Sequence, residues 1–164
     1  MKISKIADLN DIAGKGLKNL EGEKTQILFG LGTCGIAAGC TPLKEYAEQY
    51  IMDKSLHADI VSVGCIGLCH AEPLVDIKIP GKPRVTYDNV DQEKLERILE
   101  QHLAGGEPVK ELAMAQLSEE LSECEDGRIE APEPYEGIPK YQDLPFFSKQ
   151  KRVVRGAGAV RNRV

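Results

Sequence analysis

The sequence predicts a small α/β domain: a four-stranded mixed sheet with flanking helices, plus a short N-terminal helical lead-in and an extended C-terminal tail. Three observations carry this. An amphipathic helical stretch lies between two short apolar runs. An alternating run then turns back through Pro80-Gly81-Lys82-Pro83. A last helical stripe ends at Gly105-Gly106.

Each element follows from its residues. Ile3, Ile6, Leu9 and Ile12 recur at about helical spacing before Gly14, Gly16 and Gly22 break the pattern, so residues 1–24 read as the lead-in. Residues 26–29 (QILF) form an apolar run of buried-strand type and open into a glycine-rich loop at 30–35. Thr41 is a good N-cap with Pro42 at the first helical position. Leu43, Tyr46, Ala47, Tyr50 and Ile51 then make one apolar stripe. Residues 58–63 (ADIVSV) are the second strand and run into Gly64-Cys65. Residues 74–79 alternate as a half-buried strand, and residues 84–87 return after the turn. Asp91 can cap a final helix bearing Leu95, Ile98, Leu99 and Leu103. Two strands joined by a helix are parallel, so the order β-α-β-β-β-α is a thioredoxin-like layout over residues 25–106. Residues 107–139 read as an acidic helix, residues 111–125, and a stiff connector with Pro132, Pro134 and Pro139. Residues 140–164 form a basic tail, where Lys149, Lys151, Arg152, Arg155, Arg161 and Arg163 crowd the end.

Composition excludes several functions. With 26 acidic against 21 basic residues the net charge is -5, which opposes general nucleic-acid binding. No apolar run approaches the roughly 20 residues that span a bilayer. The first twenty residues lack the continuous apolar core of a signal peptide, so a cytoplasmic location is expected. Thiols stay reduced there, and grouped cysteines serve metals or redox chemistry more often than they form staples.

Four of the five cysteines fall in two tight pairs, Cys34 with Cys40 (C-x5-C) and Cys65 with Cys69 (C-x3-C), each just after a predicted strand. The two strand ends lie side by side in the expected order, so both loops meet at one sheet edge. Four converging thiolates suit a 2Fe–2S core, in which each iron needs two protein sulfurs. Gly30, Gly32, Gly35, Gly39, Gly64 and Gly67 flank them and leave room for inward N–H donors. Three rival readings stand beside this one. Any one cysteine alone reads as a small buried hydrophobe. Structural zinc favours two-residue spacings. Gly30-x-Gly32-x-x-Gly35 matches a dinucleotide loop. However, the second strand offers no acidic residue for a ribose hydroxyl, and a cysteine sits inside the fingerprint.

The segments LGTCGIAAG, VGCIGLCHAEPLVDI, PGKPRVTYDNV and LPFFSKQKRVV resemble the N-terminal thioredoxin-like 2Fe–2S ferredoxin domain of NADH-dehydrogenase flavoprotein-type subunits. Among these are the beta subunits of electron-bifurcating or NAD(P)-linked hydrogenases and related formate dehydrogenases. The domain is similar to the thioredoxin-like 2Fe–2S subunit of complex I. The resemblance covers residues 25–154. It implies a low-potential one-electron carrier, with one iron on Cys34 and Cys40 and the other on Cys65 and Cys69. In many relatives the position of Cys40 is alanine. Full-length relatives continue into a flavin- and NADH-binding domain, whereas this sequence ends at RGAGAVRNRV. The expectation is a separate short subunit, or a truncated product, that binds no FMN or NAD by itself. It would dock on a flavoprotein (FMN/NADH-binding) subunit and on other iron–sulfur subunits of an oxidoreductase complex. A scaffold subunit without a cluster is the alternative, and a nucleotide-binding module a weaker one. No catalytic residue is expected in this chain.

His70 follows Cys69 and reads as an exposed loop histidine, or as a group that tunes the cluster or substitutes for a ligand, as histidines do in Rieske centres. His57 and His102 sit near predicted helix C-termini, where a cation meets the dipole. Cys124 lies among Glu123, Glu125 and Asp126, which disfavour a thiolate.

Overall fold

The computed structural model describes Lys5, residues 24–118 and residues 132–149. Apart from Lys5 and Lys24 the lead-in lies outside the described residues, as do Cys124 and the tail from residue 150 onward.

Five strands form one sheet in the order β2-β1-β3-β4-β5. They are β1 (Thr25–Gly30), β2 (Ala58–Val63), β3 (Val75–Lys78), β4 (Arg84–Tyr87) and β5 (Ala113–Leu117). β1 and β2 are parallel, with Thr25 opposite Ala58 and Gly30 opposite Val63. The other pairings are antiparallel. Between β1 and β2 run α1 (Thr33–Ala37) and α2 (Cys40–Lys54). α3 (Gln92–Ile98) follows β4 and continues as a π-helical stretch over Leu99–Ala104. Asp91 caps α3 as expected, its carboxylate accepting from Lys94 N–H at 2.9 Å.

Three expectations are corrected. The glycine loop contains a helical turn, α1, and α2 begins at Cys40 with Gly39 (φ 91°) as N-cap rather than Thr41. The left-handed conformation at position 39 needs glycine. Within the expected acidic helix, residues 113–117 are instead the fifth strand, paired with β4. The connector and the first part of the basic tail are folded onto the sheet. There they form a 3-10 turn (Tyr141–Asp143) and α4 (Pro145–Ser148).

The alternation of strand side chains explains two cores. Ile27, Phe29, Ile77, Val85 and Tyr87 face α2 and α3, where Leu43, Ala47, Leu95, Ile98 and Leu99 close the first core. On the opposite face Leu74, Ala115 and Leu117 pack with Leu68 and Ala71 of the Cys65–Cys69 loop and with Tyr141 and Phe147. Tyr141 O–H donates to buried Thr86 Oγ1 at 2.8 Å. Gln116 pins the connector: its amide nitrogen donates to Tyr135 O (2.8 Å) and Ile138 O (2.6 Å), and its Oε1 accepts from Tyr135 N–H (2.7 Å).

His102, placed by sequence near a helix C-terminus, is fully buried in the structure. Tyr87 Oη accepts from Val109 N–H at 3.2 Å and shares a hydrogen bond of 2.8 Å with His102 Nδ1. Burial, reinforced by the Lys82 charge, holds the imidazole neutral and lowers its pKa to about 4. In an unfolded chain the ring titrates near 6.5. Between those values the unfolded state binds more protons. The stabilisation is therefore whole above pH 6.5 and declines as pH falls toward 4. Denaturant midpoints between pH 7 and pH 4.5 should reveal this. In the wild type, acidification costs up to roughly 3 kcal/mol from this group. His102→Gln is less stable at pH 7 and has a shallower acid slope. Equal slopes in the two proteins would refute the role of His102.

Candidate iron–sulfur centre

The parallel register of β1 and β2 brings the ends of both strands to one sheet edge, where Leu31 N–H donates to Val63 O at 2.8 Å. From there β1 leads into α1, which carries Cys34, and β2 leads into the loop of Cys65 and Cys69. β3, running the other way, brings residues 72–74 back to the same edge, and Gly30 N–H donates to Leu74 O at 3.0 Å. The expectation that the two cysteine loops meet is thus observed.

The sulfurs of Cys34, Cys65 and Cys69 all lie within 4.8 Å of one another. Cys65 Sγ and Cys69 Sγ are 3.6 Å apart, and Gly67 N–H donates to Cys65 Sγ at 3.1 Å. Gly67 has φ 89°, a left-handed turn that aims its N–H inward. Cys69 is exposed, while Cys34 and Cys65 are half-buried. Cys40 is not in this group. It is fully buried at the start of α2, within the first core. None of the four is in a disulfide.

A carboxylate absent from the sequence-based site completes the edge. Glu72 is buried. Its Oε2 accepts from Leu74 N–H at 2.8 Å, and Cys34 S–H donates to its Oε1 at 3.8 Å. The signal was its place three residues after Cys69, inside the most specific quoted segment, but burial of an acid is not readable from spacing. Hydrogen bonding with Cys65, then burial, pushes the Cys34 thiol up to about 12. Burial also raises Cys65, but hydrogen bonds from Cys34, from Gly67 N–H and from Cys69 outweigh it and bring Cys65 below its ordinary value. Of Cys34 and Cys65, Cys65 is therefore the one that more readily becomes a thiolate, the form that binds metal. His70 is exposed and stacks edge-on with Phe146, ring centroids 6.0 Å apart.

The glycines of the dinucleotide fingerprint serve packing. A Cβ on Gly35 would lie 1.9 Å from Gly30 O, and one on Gly30 would lie 2.7 Å from Glu72 Oε2. A buried carboxylate against this loop opposes a pyrophosphate.

No protein-family model matches the chain. It is 30% identical over 114 residues to "NADP-reducing hydrogenase subunit HndB" of Solidesulfovibrio fructosivorans, a match covering 66% of this chain and 90% of that protein. It is also 30% identical over 86 residues to "Ferredoxin, 2Fe-2S" of Aquifex aeolicus, covering 51% of this chain and 75% of that protein. Two solved structures of the thioredoxin-like 2Fe–2S ferredoxin from Aquifex aeolicus superpose with TM-scores of 0.50. They are 23% and 24% identical, covering 58% and 57% of this chain and 94% and 99% of those chains. The chain belongs to the thioredoxin-like 2Fe–2S ferredoxin family. The resemblance read from the cysteine segments, and the thioredoxin-like fold class, are borne out.

In this ferredoxin the donor set fits an iron–sulfur group at three positions. The donors are soft thiols, the usual ligands of such clusters. Cys65 and Cys69 have the separation of two ligands on one tetrahedral metal, whose edge is about 3.8 Å for metal–sulfur bonds of about 2.3 Å. Cys40 does not fit from its place in the core.

Because the backbone crossing at Gly35 sets where Cys34 stands, Gly35→Ala is expected to lower the melting temperature by more than about 5 °C, the scale of an overpacked site. Gly64→Ala, which projects into open space, is expected to stay near wild type. Indistinguishable thermal melts for the two variants would show that the crossing tolerates a side chain.

Proposed function

We propose that this chain is an electron-transfer subunit carrying one 2Fe–2S cluster within a multisubunit NAD(P)H-linked oxidoreductase. The observation that carries it is the gathering of three sulfurs, from two separate loops, within 4.8 Å at one sheet edge. Cys34, Cys65 and Cys69 supply three of the four protein ligands. When bound, the cluster supplies one-electron redox capacity.

The chain's own residues do the rest. Gly67 N–H is aimed at Cys65 Sγ, and such donors stabilise sulfur-borne negative charge. Leu68 and Ala71 anchor the Cys65–Cys69 loop in the second core and keep its sulfurs in place. Cys69 reaches the surface, giving electrons a short exit. Ile36 (56% exposed), two residues from Cys34, and Phe146 (37%), against His70, set apolar side chains beside the cysteines. Exposed apolar residues beside a redox site suit a docking partner.

The similarity to a protein named as an NADP-reducing hydrogenase subunit supports assembly with other subunits. We take the partner to be a flavoprotein subunit and the location to be cytoplasmic. No helix among the described residues is long and apolar enough to cross a membrane. The chain's own site offers electron transfer and no substrate chemistry.

Anaerobic purification is expected to yield brown protein with about two irons and two sulfides per chain and a 2Fe–2S paramagnetic resonance signal on reduction. Cys65→Ser or Cys69→Ser should abolish or badly destabilise that absorbance, whereas Cys124→Ser should leave it unchanged. Zinc-loaded or metal-free wild-type protein would end this reading.

A further inference from the structure

A 2Fe–2S core needs four protein ligands, and the sheet edge gathers three sulfurs. The sequence names Cys40 as the fourth, but Cys40 is wholly buried as the first residue of α2, among Leu43 and Ala47 of that helix and the residues of the first core. Bringing its sulfur to the others would require unwinding the first turn of a 15-residue helix and opening a hole in packed apolar surroundings. Both steps are costly.

Glu72 stands where the remaining ligand is needed. Its Oε1 is 3.8 Å from Cys34 Sγ. Two ligands on one tetrahedral iron, one sulfur at about 2.3 Å and one oxygen at about 2.0 Å, lie roughly 3.5 Å apart. The Cys34–Glu72 pair is therefore spaced like the Cys65–Cys69 pair, at 3.6 Å. The carboxylate is also oriented in advance. Leu74 N–H holds Oε2, while Ala71 O and Pro73 O accept from Asn89 N–H and Val90 N–H on the β4–α3 loop. Outer hydrogen bonds of this kind are what fix metal ligands.

Charge points the same way. Cys34 must lose its proton to bind iron. A thiolate and a carboxylate would then face each other 3.8 Å apart in a part-buried site, an arrangement that a cation between them would stabilise. A ferric ion held by both atoms is such a cation, and carboxylate oxygen suits a hard cation.

We propose that, in the 2Fe–2S centre proposed above, one iron is held by Cys65 and Cys69 and the other by Cys34 and Glu72, with Cys40 remaining a core residue. Loading releases three thiol protons to solvent. Three thiolates and one carboxylate carry the same total charge as four thiolates, so the oxidised core keeps about two negative charges. One iron is then oxygen-ligated, and the two irons are inequivalent before any electron is added.

The test uses the full chain, reconstituted anaerobically with ferric iron and sulfide, and reads Mössbauer spectra, metal content and resistance to chelator. Oxidised wild-type protein is expected to show two distinct ferric sites, and Glu72→Cys a single all-sulfur type. Cys40→Ala is expected to keep about two irons and two sulfides and the wild-type spectrum. Glu72→Gln, which retains a hydrogen-bonding group but no anionic oxygen, is expected to lose iron to chelator about tenfold or more faster, the scale for a lost metal-supporting group. Two identical tetrathiolate sites in the wild type would overturn the assignment, as would a folded Cys40→Ala protein that no longer holds the cluster. The wild-type spectrum decides the matter even if a core change at Cys40 prevents folding. Wild-type protein that takes up no iron and sulfide at all would instead sink the proposed function on which this assignment rests.

Discussion

The parallel pairing of β1 with β2 is the constraint on which the site depends. Six residue pairs, from Thr25–Ala58 to Gly30–Val63, fix the two strand ends at one level. The chain has little room to vary beyond them: a Cβ on Gly32 would meet Cys65 Cβ at 3.0 Å, and one on Gly35 would collide with Gly30 O. A shift of one residue in this register would invert the faces of β2. It would also carry Cys65 out of reach of Cys34. The site is thus a consequence of sheet register and of two close approaches at Gly32 and Gly35, and its glycines are needed for contact at least as much as for turning.

Much of this architecture was legible because the relevant signals are local. The bounds of β2 and β4, the Asp91 cap and the meeting of the cysteine loops follow from apolar runs, turn residues and capping chemistry. What escaped was decided by tertiary contact. Residues 113–117 (AMAQL) contain no β-branched residue and have good helix propensity, yet pairing with β4 and burial of Ala115 and Leu117 make them a strand. Tyr141 and Phe147, counted with the basic tail, are needed because the sheet has a second apolar face that must be covered. His102 lies near a helix end as expected, but its burial was not legible for the same reason: a helix end says nothing about what packs over it.

The site divides along a similar line. Cys34, Cys65 and Cys69 were readable from spacing after strands, since spacing fixes where a short loop can reach. Cys40 was not, because the helix starts two residues earlier than the Thr41-Pro42 signal suggests and takes that side chain inward. Glu72 was invisible as a site residue. Its place beside Cys34 follows from the antiparallel return of β3 to the cysteine edge, which residue pattern alone does not locate.

The second core ties these observations together. The residues that cover the far face of the sheet, Tyr141 and Phe147, pack with Leu68 and Ala71, which lie within and just beyond the Cys65–Cys69 segment. Phe146 touches His70 and Phe147 in turn. The segment read as a tail is therefore the backing of the cysteine loop. A four-stranded domain ending at residue 106 would leave that loop held on one side only. The folded unit that supports the sulfurs extends through β5 and α4, and the centre is built by the whole of it rather than by the strands that carry the cysteines.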